Sequence, residues 1–410
     1  MYMLSLLLGT LAGVILGTLS GLVPGLHTNT FAGVISAAAV PLSLVFGAEG
    51  ICCLLISCMV VHTFLDAVPS TFIGVPDADT VLSVLPAHQL YLSGNGEEAV
   101  RLSALGSLFG FVYALPIFAA FYFILPLFQT EIDWAIGLVI LTAAGLLIVY
   151  SKTPAWAFML FLVSGILGVF SMRFSYFSFG VFGAGEVLLP LLTGLFGIPV
   201  LLHALNAAPQ TVEQKFSGLF VSKIETVTNT IKGTAAGAVV GWLPGFSSGT
   251  ANALLAFHKS GDYESKNPRG YLLATSAANT ANAVLGIAAL YAVGRMRSGA
   301  LAAAAEFPLP NIFMLLAAAG IAAVFAYILT VLFSKTGKYM AKVNQRMLSA
   351  YVLGFLIILT AVFSGPFGLM LLVLASAVGI IPAKLGIPRL YCMGAIMIPV
   401  MLFSLGLLQF

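Results

Sequence analysis

The chain has 410 residues, of which 60% are hydrophobic and only 8% charged, with a formal net charge of +3. Soluble domains carry about 25% charged residues, so the composition excludes a soluble globular protein and indicates a polytopic integral membrane protein. The small, scattered charge also excludes a nucleic-acid partner.

Apolar segments fall at about 3–23, 30–47, 51–75, 103–127, 134–150, 154–171, 179–201, 233–257, 271–293, 311–333, 347–364, 366–381 and 391–410. In lipid every backbone polar group must be paired, so these segments are helices. Strand-like alternation is missing, and the fold class is all-α. About 10–12 transmembrane segments are expected, some of them half-helices or re-entrant pieces. The first segment runs into a Pro-Gly break with no small-residue cleavage site, and reads as a membrane helix rather than a signal peptide.

That break is Gly17-Thr-Leu-Ser-Gly-Leu-Val-Pro24-Gly25-Leu-His27-Thr28-Asn29-Thr30. A second copy stands 220 residues later, at Gly237-Ala-Val-Val-Gly241-Trp-Leu-Pro244-Gly245-Phe-Ser247-Ser248-Gly-Thr250-Ala-Asn252. Pro cannot continue an incoming helix and Gly permits the turn. A helix restarting there exposes unpaired N–H groups with partial positive charge, which favour an anion. Interrupted segments at matching places in two halves point to a transporter's substrate site. Candidate anion-binding residues are therefore Gly25, His27, Thr28, Asn29, Thr30, Gly245, Ser247, Ser248, Thr250 and Asn252. The competing reading is a pair of Pro-kinked helices packed through glycine.

Cys52, Cys53, Cys58 and Cys392 lie in apolar runs without metal-ligand spacing, and read as buried hydrophobes. His62 and Asp66 are four apart, on one face of a membrane helix. They are candidates for coupling to Na⁺ or a proton, or form a structural polar pair. Asp77 and Asp79, after Pro76, cap a helix or mark a gate. Glu186 is a second acid in apolar surroundings.

The polar stretch 205–232 reads as an amphipathic connecting segment, or a plain linker, between an N-terminal repeat (1–204) and a C-terminal repeat (233–410). His62-Thr63 after the first break pairs with Asn279-Thr280 after the second, which adds Asn279 and Asn282 to the anion site. Arg295 and Arg297 end an apolar run, at an interface or an anion-attracting vestibule. Lys335, Lys338, Lys342 and Arg346 form an acid-free block, expected on the cytoplasmic side.

The ordered set Gly17-Thr-Leu-x-Gly21-x-x-Pro24-Gly25-Leu, Thr71-Phe-Ile-Gly-Val-Pro76, Pro86-Ala-His-Gln-Leu-Tyr-Leu-Ser-Gly94, Arg101-Leu-x-Ala-x-Gly-Ser107, Trp242-Leu-Pro244-Gly245 and Ser276-Ala-Ala-Asn279 resembles the large membrane (permease) subunit of tripartite tricarboxylate transporters and its archaeal relatives. Departures are Pro76-Asp77, where the family has a second Pro-Gly, and Gly286-Ile-Ala-Ala-Leu-Tyr, where it has a Gly-Ile-Pro-Gly turn. The resemblance implies a secondary active transporter of the cell membrane, assisted by a small membrane subunit and an extracytoplasmic solute-binding protein.

The expectation is a symporter with two inverted pseudo-repeats, moving an organic anion of the carboxylate class in exchange for the free energy of a Na⁺ or H⁺ gradient. No cofactor, metal site or enzymatic activity is expected. The expected partners are a small anionic solute, the lipid bilayer and a second copy of the chain in a homodimer. The alternatives are a translocase for a lipid-linked anion such as polyprenyl phosphate, a channel or an intramembrane enzyme. Against the enzyme, no nucleophile–base pair stands out.

Overall fold

The computed structural model describes residues 2–23, 28–72, 84–181, 183–184, 187–206, 212–241, 267–340, 345–387 and 389–407. The helices are α1 (Tyr2–Leu22), α2 (Thr28–Ala37), α3 (Ala39–Leu65), α4 (Ala67–Phe72), α5 (Val84–Leu92), α6 (Gly96–Ile124), α7 (Gln129–Val149) and α8 (Pro154–Arg173). A two-stranded hairpin, β1 (Phe179–Gly180) and β2 (Gly183–Ala184), precedes α9 (Leu188–Leu192) and α10 (Ile198–Asn206). The rest are α11 (Lys223–Gly241), α12 (Pro268–Val293), α13 (Gly299–Ala305), α14 (Ile312–Ser334), α15 (Gly337–Met340), α16 (Gln345–Leu385) and α17 (Gly394–Ser404).

Among the described residues, seven helices are long and apolar enough to cross a membrane, and three shorter apolar helices accompany them. The protein is an all-α, multi-pass protein of the cell membrane.

The chain forms two compact units. The first holds described residues 2–127, 212–241 and 267–340; the second holds 128–206 and 345–407. The first unit is set by glycine. A methyl group on Gly9, Gly13 or Gly17 of α1 would strike the carbonyl oxygens of Gly50, Leu54 and Cys58 on α3, and one on Gly21 would strike Leu65. Both residue series rise together, so α1 and α3 run parallel. In lipid, small residues let helix backbones approach this closely.

The same contacts recur 220 positions on. Gly233 and Gly237 of α11 lie on the carbonyls of Ala274 and Ala278 of α12, and Gly241 lies on Leu285. This register pairs His62 with Asn282, not with Asn279. Thr63 and Thr280, which the sequence matched as equivalents, instead touch each other.

Helix directions follow from further contacts. Tyr2 donates to the Met314 Sδ at 3.4 Å, and Cys52 to the Pro308 carbonyl at 3.7 Å, so the starts of α1, α3 and α14 lie together. At the other end Gly337, just past α14, lies against the Phe72 ring. Gly106 and Gly110 set α6 parallel to α12 through the carbonyls of Leu273 and Ala277. Arg101 Nε, at the start of α6, donates to Ser334 Oγ at the end of α14 at 3.3 Å. The set α1, α3, α14 therefore runs opposite to the set α6, α11, α12.

Since α1 and α3 are parallel, the intervening chain must return to the starting end. α2 and the first turns of α3, before its bend at Gly47 (φ 68°), belong to that return. α1 stops level with Leu65 and Asp66, while α4 continues to Phe72, about 10 Å further at 1.5 Å per residue. Gly241 of α11 lies level with Leu285 of α12 in the same way.

Gly17→Val and Gly237→Val are each expected to destabilise by about 1–3 kcal/mol, the usual cost of overpacking. Thermal unfolding in detergent would register both as similar drops in Tm. An unchanged Tm in either would contradict the close helix contact.

The stretch 205–232 is not one amphipathic helix. Residues 212–222 run without helix, and a capping box starts α11: Glu225 N–H donates to Ser222 Oγ at 3.1 Å, and Ser222 N–H to Glu225 Oε2 at 3.0 Å. Two of its aromatic side chains lie against arginines: the Arg101 guanidinium lies 4.2 Å from the Phe216 ring centre, and that of Arg269 lies 5.7 Å from Phe220. Gln214 holds the segment down, accepting from Gly96 N–H at 3.0 Å and donating to the Tyr91 carbonyl at 2.9 Å.

In the second unit α16 breaks at Gly365 (φ 63°), just before Pro366. Val181 N–H reaches the Val362 carbonyl beside that break at 2.7 Å. Packing again occurs twice in one pattern. Gly168 meets the Ala395 carbonyl and Gly394 that of Phe161; Gly379 meets the Leu195 carbonyl and Gly194 that of Leu372.

Candidate functional site: a polar layer at mid-helix

The first unit carries a band of buried polar groups at the junction of α3 with α4 and near the middle of α12. His62 and Asp66 are 2% and 4% exposed, and successive turns of one helix place them on one face. His62 Nδ1 shares a 2.8 Å hydrogen bond with Ser20 Oγ of α1. Asn279 Nδ2 of α12 donates to Asp66 Oδ2 at 3.0 Å. Between them Thr63 Oγ1 donates to the Val60 carbonyl at 2.8 Å and meets Thr280 Oγ1 at 3.0 Å. Ser107 of α6 donates to the carbonyls of Thr63 at 3.2 Å and Ser276 at 3.4 Å. Asn282 Oδ1 accepts from Arg297 Nη1 at 2.7 Å.

Helices α1, α3, α6 and α12 are thus tied together at one depth by side chains that an apolar medium penalises unless they are paired. The carbonyl end of α1 carries partial negative charge and stops beside Asp66, which favours a cation there. Thr28 opens α2 and is buried.

Of the candidates read from the sequence, the structure joins Asp66 to Asn279, while His62 bonds Ser20 and Asn282 bonds Arg297. Asn29 and Thr30 lie on the first turn of α2. Gly25, His27, Gly245, Ser247, Ser248, Thr250 and Asn252 lie outside the described residues, as do Asp77, Asp79 and Glu186. Sequence reasoning missed Ser20, Thr280 and Ser107 as members of the layer. The available signal was a hydroxyl beside a helix-packing glycine, as in Ser20-Gly21 and Gly106-Ser107. The four cysteines are buried and unbridged. Among the described residues no group of three or more His, Cys, Asp or Glu side chains is placed to hold a metal ion.

The family assignment rests on residues 7–394, which match the profile described as the Tripartite tricarboxylate transporter TctA family. The chain belongs to that family. It is a transport protein, not an enzyme, and TctA membership connects it with multi-subunit tripartite transport systems. An uncharacterized protein of Methanocaldococcus jannaschii is 27% identical over 301 residues, covering 72% of this chain and 70% of the relative. No solved structure matches. The Arg101-to-Ser107 motif of this TctA chain has a packing role: Arg101 pairs with Glu97 at 2.7 Å, Gly106 admits α12, and Ser107 bonds α3 and α12.

Proposed function

We propose that this chain is the membrane carrier of an organic anion of the carboxylate class, driven by a Na⁺ or H⁺ gradient. Its architecture is read as two inverted repeats, 1–204 and 233–410, joined by 205–232. The observation that carries the reading is that α1 and α11 pack on α3 and α12 through the same glycine register yet run in opposite senses, and that α1 stops level with the polar layer. A Pro-Gly pair follows α1, at Pro24-Gly25, and α11, at Pro244-Gly245, in the sequence. Helices that end inside the bilayer are tolerated where they line a cavity, and paired broken helices are how carriers hold ions and solutes.

In this reading the carbonyl end of α1, with Asp66 and His62, serves the coupling cation. The segments restarting after Pro24-Gly25 and Pro244-Gly245, with Asn279 and Asn282, serve the anion. The carrier works with a small membrane subunit and an extracytoplasmic solute-binding protein, and as a homodimer. The end bearing Lys215, Lys223 and Lys335 is cytoplasmic.

Thermal-shift assays on the purified protein with citrate, succinate and inorganic phosphate, with and without Na⁺ and across pH, test the binding. Uptake into proteoliposomes under imposed gradients tests the coupling. A carboxylate is expected to raise Tm and to accumulate only under a Na⁺ or pH gradient. Gly25→Leu and Gly245→Leu should abolish uptake while leaving membrane insertion intact. Normal uptake by both variants would remove the proposal.

A further inference from the structure

The chain leaves α12 at Gly294 (φ 66°), where Arg295 N–H still reaches back to the Ala289 carbonyl at 3.3 Å. It then doubles back along the helix. Arg297 Nη1 donates to Asn282 Oδ1 at 2.7 Å, and Asn282 lies eleven residues before Val293, about 16 Å along the axis at 1.5 Å per residue. The neighbouring backbone is equally deep. Ser298 Oγ donates to Met59 Sδ at 3.6 Å, and Ser298 also caps α13 by accepting from Leu301 N–H at 3.2 Å. From there α13 climbs toward the starting end of α3, where Cys52 donates to the Ala304 carbonyl at 3.6 Å.

Arg297 therefore belongs to a re-entrant turn that carries its guanidinium to the middle of a membrane-spanning helix. That depth differs from the membrane interface that its sequence position suggests. The side chain is only partly buried. A guanidinium at that depth is costly, and such charges mark the route of an ion or solute.

We infer that Arg297 binds the transported anion through its oxyanion group, with Asn282 as the residue that positions it. This rests on the carrier reading above and names a recognition residue for it. Arg presents five N–H donors in a planar fork suited to carboxylate or phosphate, and Asn282 Oδ1 engages that fork at Nη1. Asn282 stands in the register of His62, so the same level carries the cation-side pair Ser20–His62 in one half and the anion-side pair Asn282–Arg297 in the other.

The test measures binding of citrate, succinate and inorganic phosphate to purified wild type, R297Q, R297K and N282A. Gln keeps an N–H donor for Asn282 but loses the charge. R297Q should bind the best probe on the order of 30-fold more weakly, with the ligand-free Tm within a few degrees of wild type. R297K should lose about tenfold, because a point charge cannot offer the fork, and N282A about threefold to tenfold. Wild-type affinity in R297Q would overturn the inference and leave the carrier reading standing. Failure of every probe on wild type would bring down the carrier reading first, and this inference with it. Should R297Q not fold, phenylglyoxal labelling of the wild-type protein, read at Arg297 by mass spectrometry, decides instead. Slower labelling in citrate or phosphate supports the assignment, and unchanged labelling refutes it.

Discussion

Asp66→Asn is expected to abolish gradient-driven uptake, with a loss on the order of 100-fold, while the protein still folds and inserts. The substitution is nearly isosteric and retains an amide oxygen for the Asn279 donor, so the 3.0 Å contact between α3 and α12 survives. What disappears is the negative charge beside the carbonyl end of α1. Exchanging a charge-assisted contact to a cation for a neutral one removes about 1.5–3 kcal/mol, and each 1.4 kcal/mol is a factor of ten. Counterflow of solute between equal pools, which needs no gradient, should persist in the same variant. Asp66→Asn proteoliposomes that accumulate solute with the wild-type dependence on Na⁺ or pH would eliminate Asp66 from coupling.

The largest expected loss of stability is at Glu98. Its side chain is 1% exposed and accepts from Arg269 Nε and Nη2, each at 2.8 Å. It also accepts from Phe220 N–H at 2.8 Å. One carboxylate thus joins the start of α6, the start of α12 and the 212–222 segment. Glu98→Leu strands the guanidinium and a backbone donor together, at a cost of about 3–5 kcal/mol. Arg269→Met alone should cost a similar amount, by leaving the carboxylate buried without its cation. The double variant Glu98→Leu with Arg269→Met should recover part of the loss, because removing both partners avoids the unpaired charge. Thermal unfolding of the three variants tests this, and additive losses in the double variant would show that the pair is not coupled.

Much of the architecture was legible in the sequence. Composition alone gave a helical membrane protein, and the spacing of Pro24 and Pro244 matches the register that Gly13–Leu54 and Gly233–Ala274 later fix in space. The register around His62 was not legible. A search for matching residue types pairs His62-Thr63 with Asn279-Thr280, whereas helix packing conserves small volumes at the contact and leaves polar identities free to differ. The parallel course of α1 and α3 escaped for a related reason: hydrophobicity reports that a segment is in the membrane, not which way it runs. Arg297 was misplaced because a charge after an apolar run usually marks a boundary, and only the contacts to Asn282 and Met59 reveal the turn back into the layer. The irregular course of 212–222 was not legible either, because Phe216 and Phe220 take arginines from distant sequence as partners.

The second unit's repeated packing has a consequence for how such a protein can be divided. α8, from the first half of the sequence, is clasped by Gly394 and Ala395 from the second, while the latter part of α16 is clasped by Gly194 and Leu195 from the first. Each half thus lends a helix to the other, like two people with linked elbows. Severed fragments would regain this unit only by finding each other.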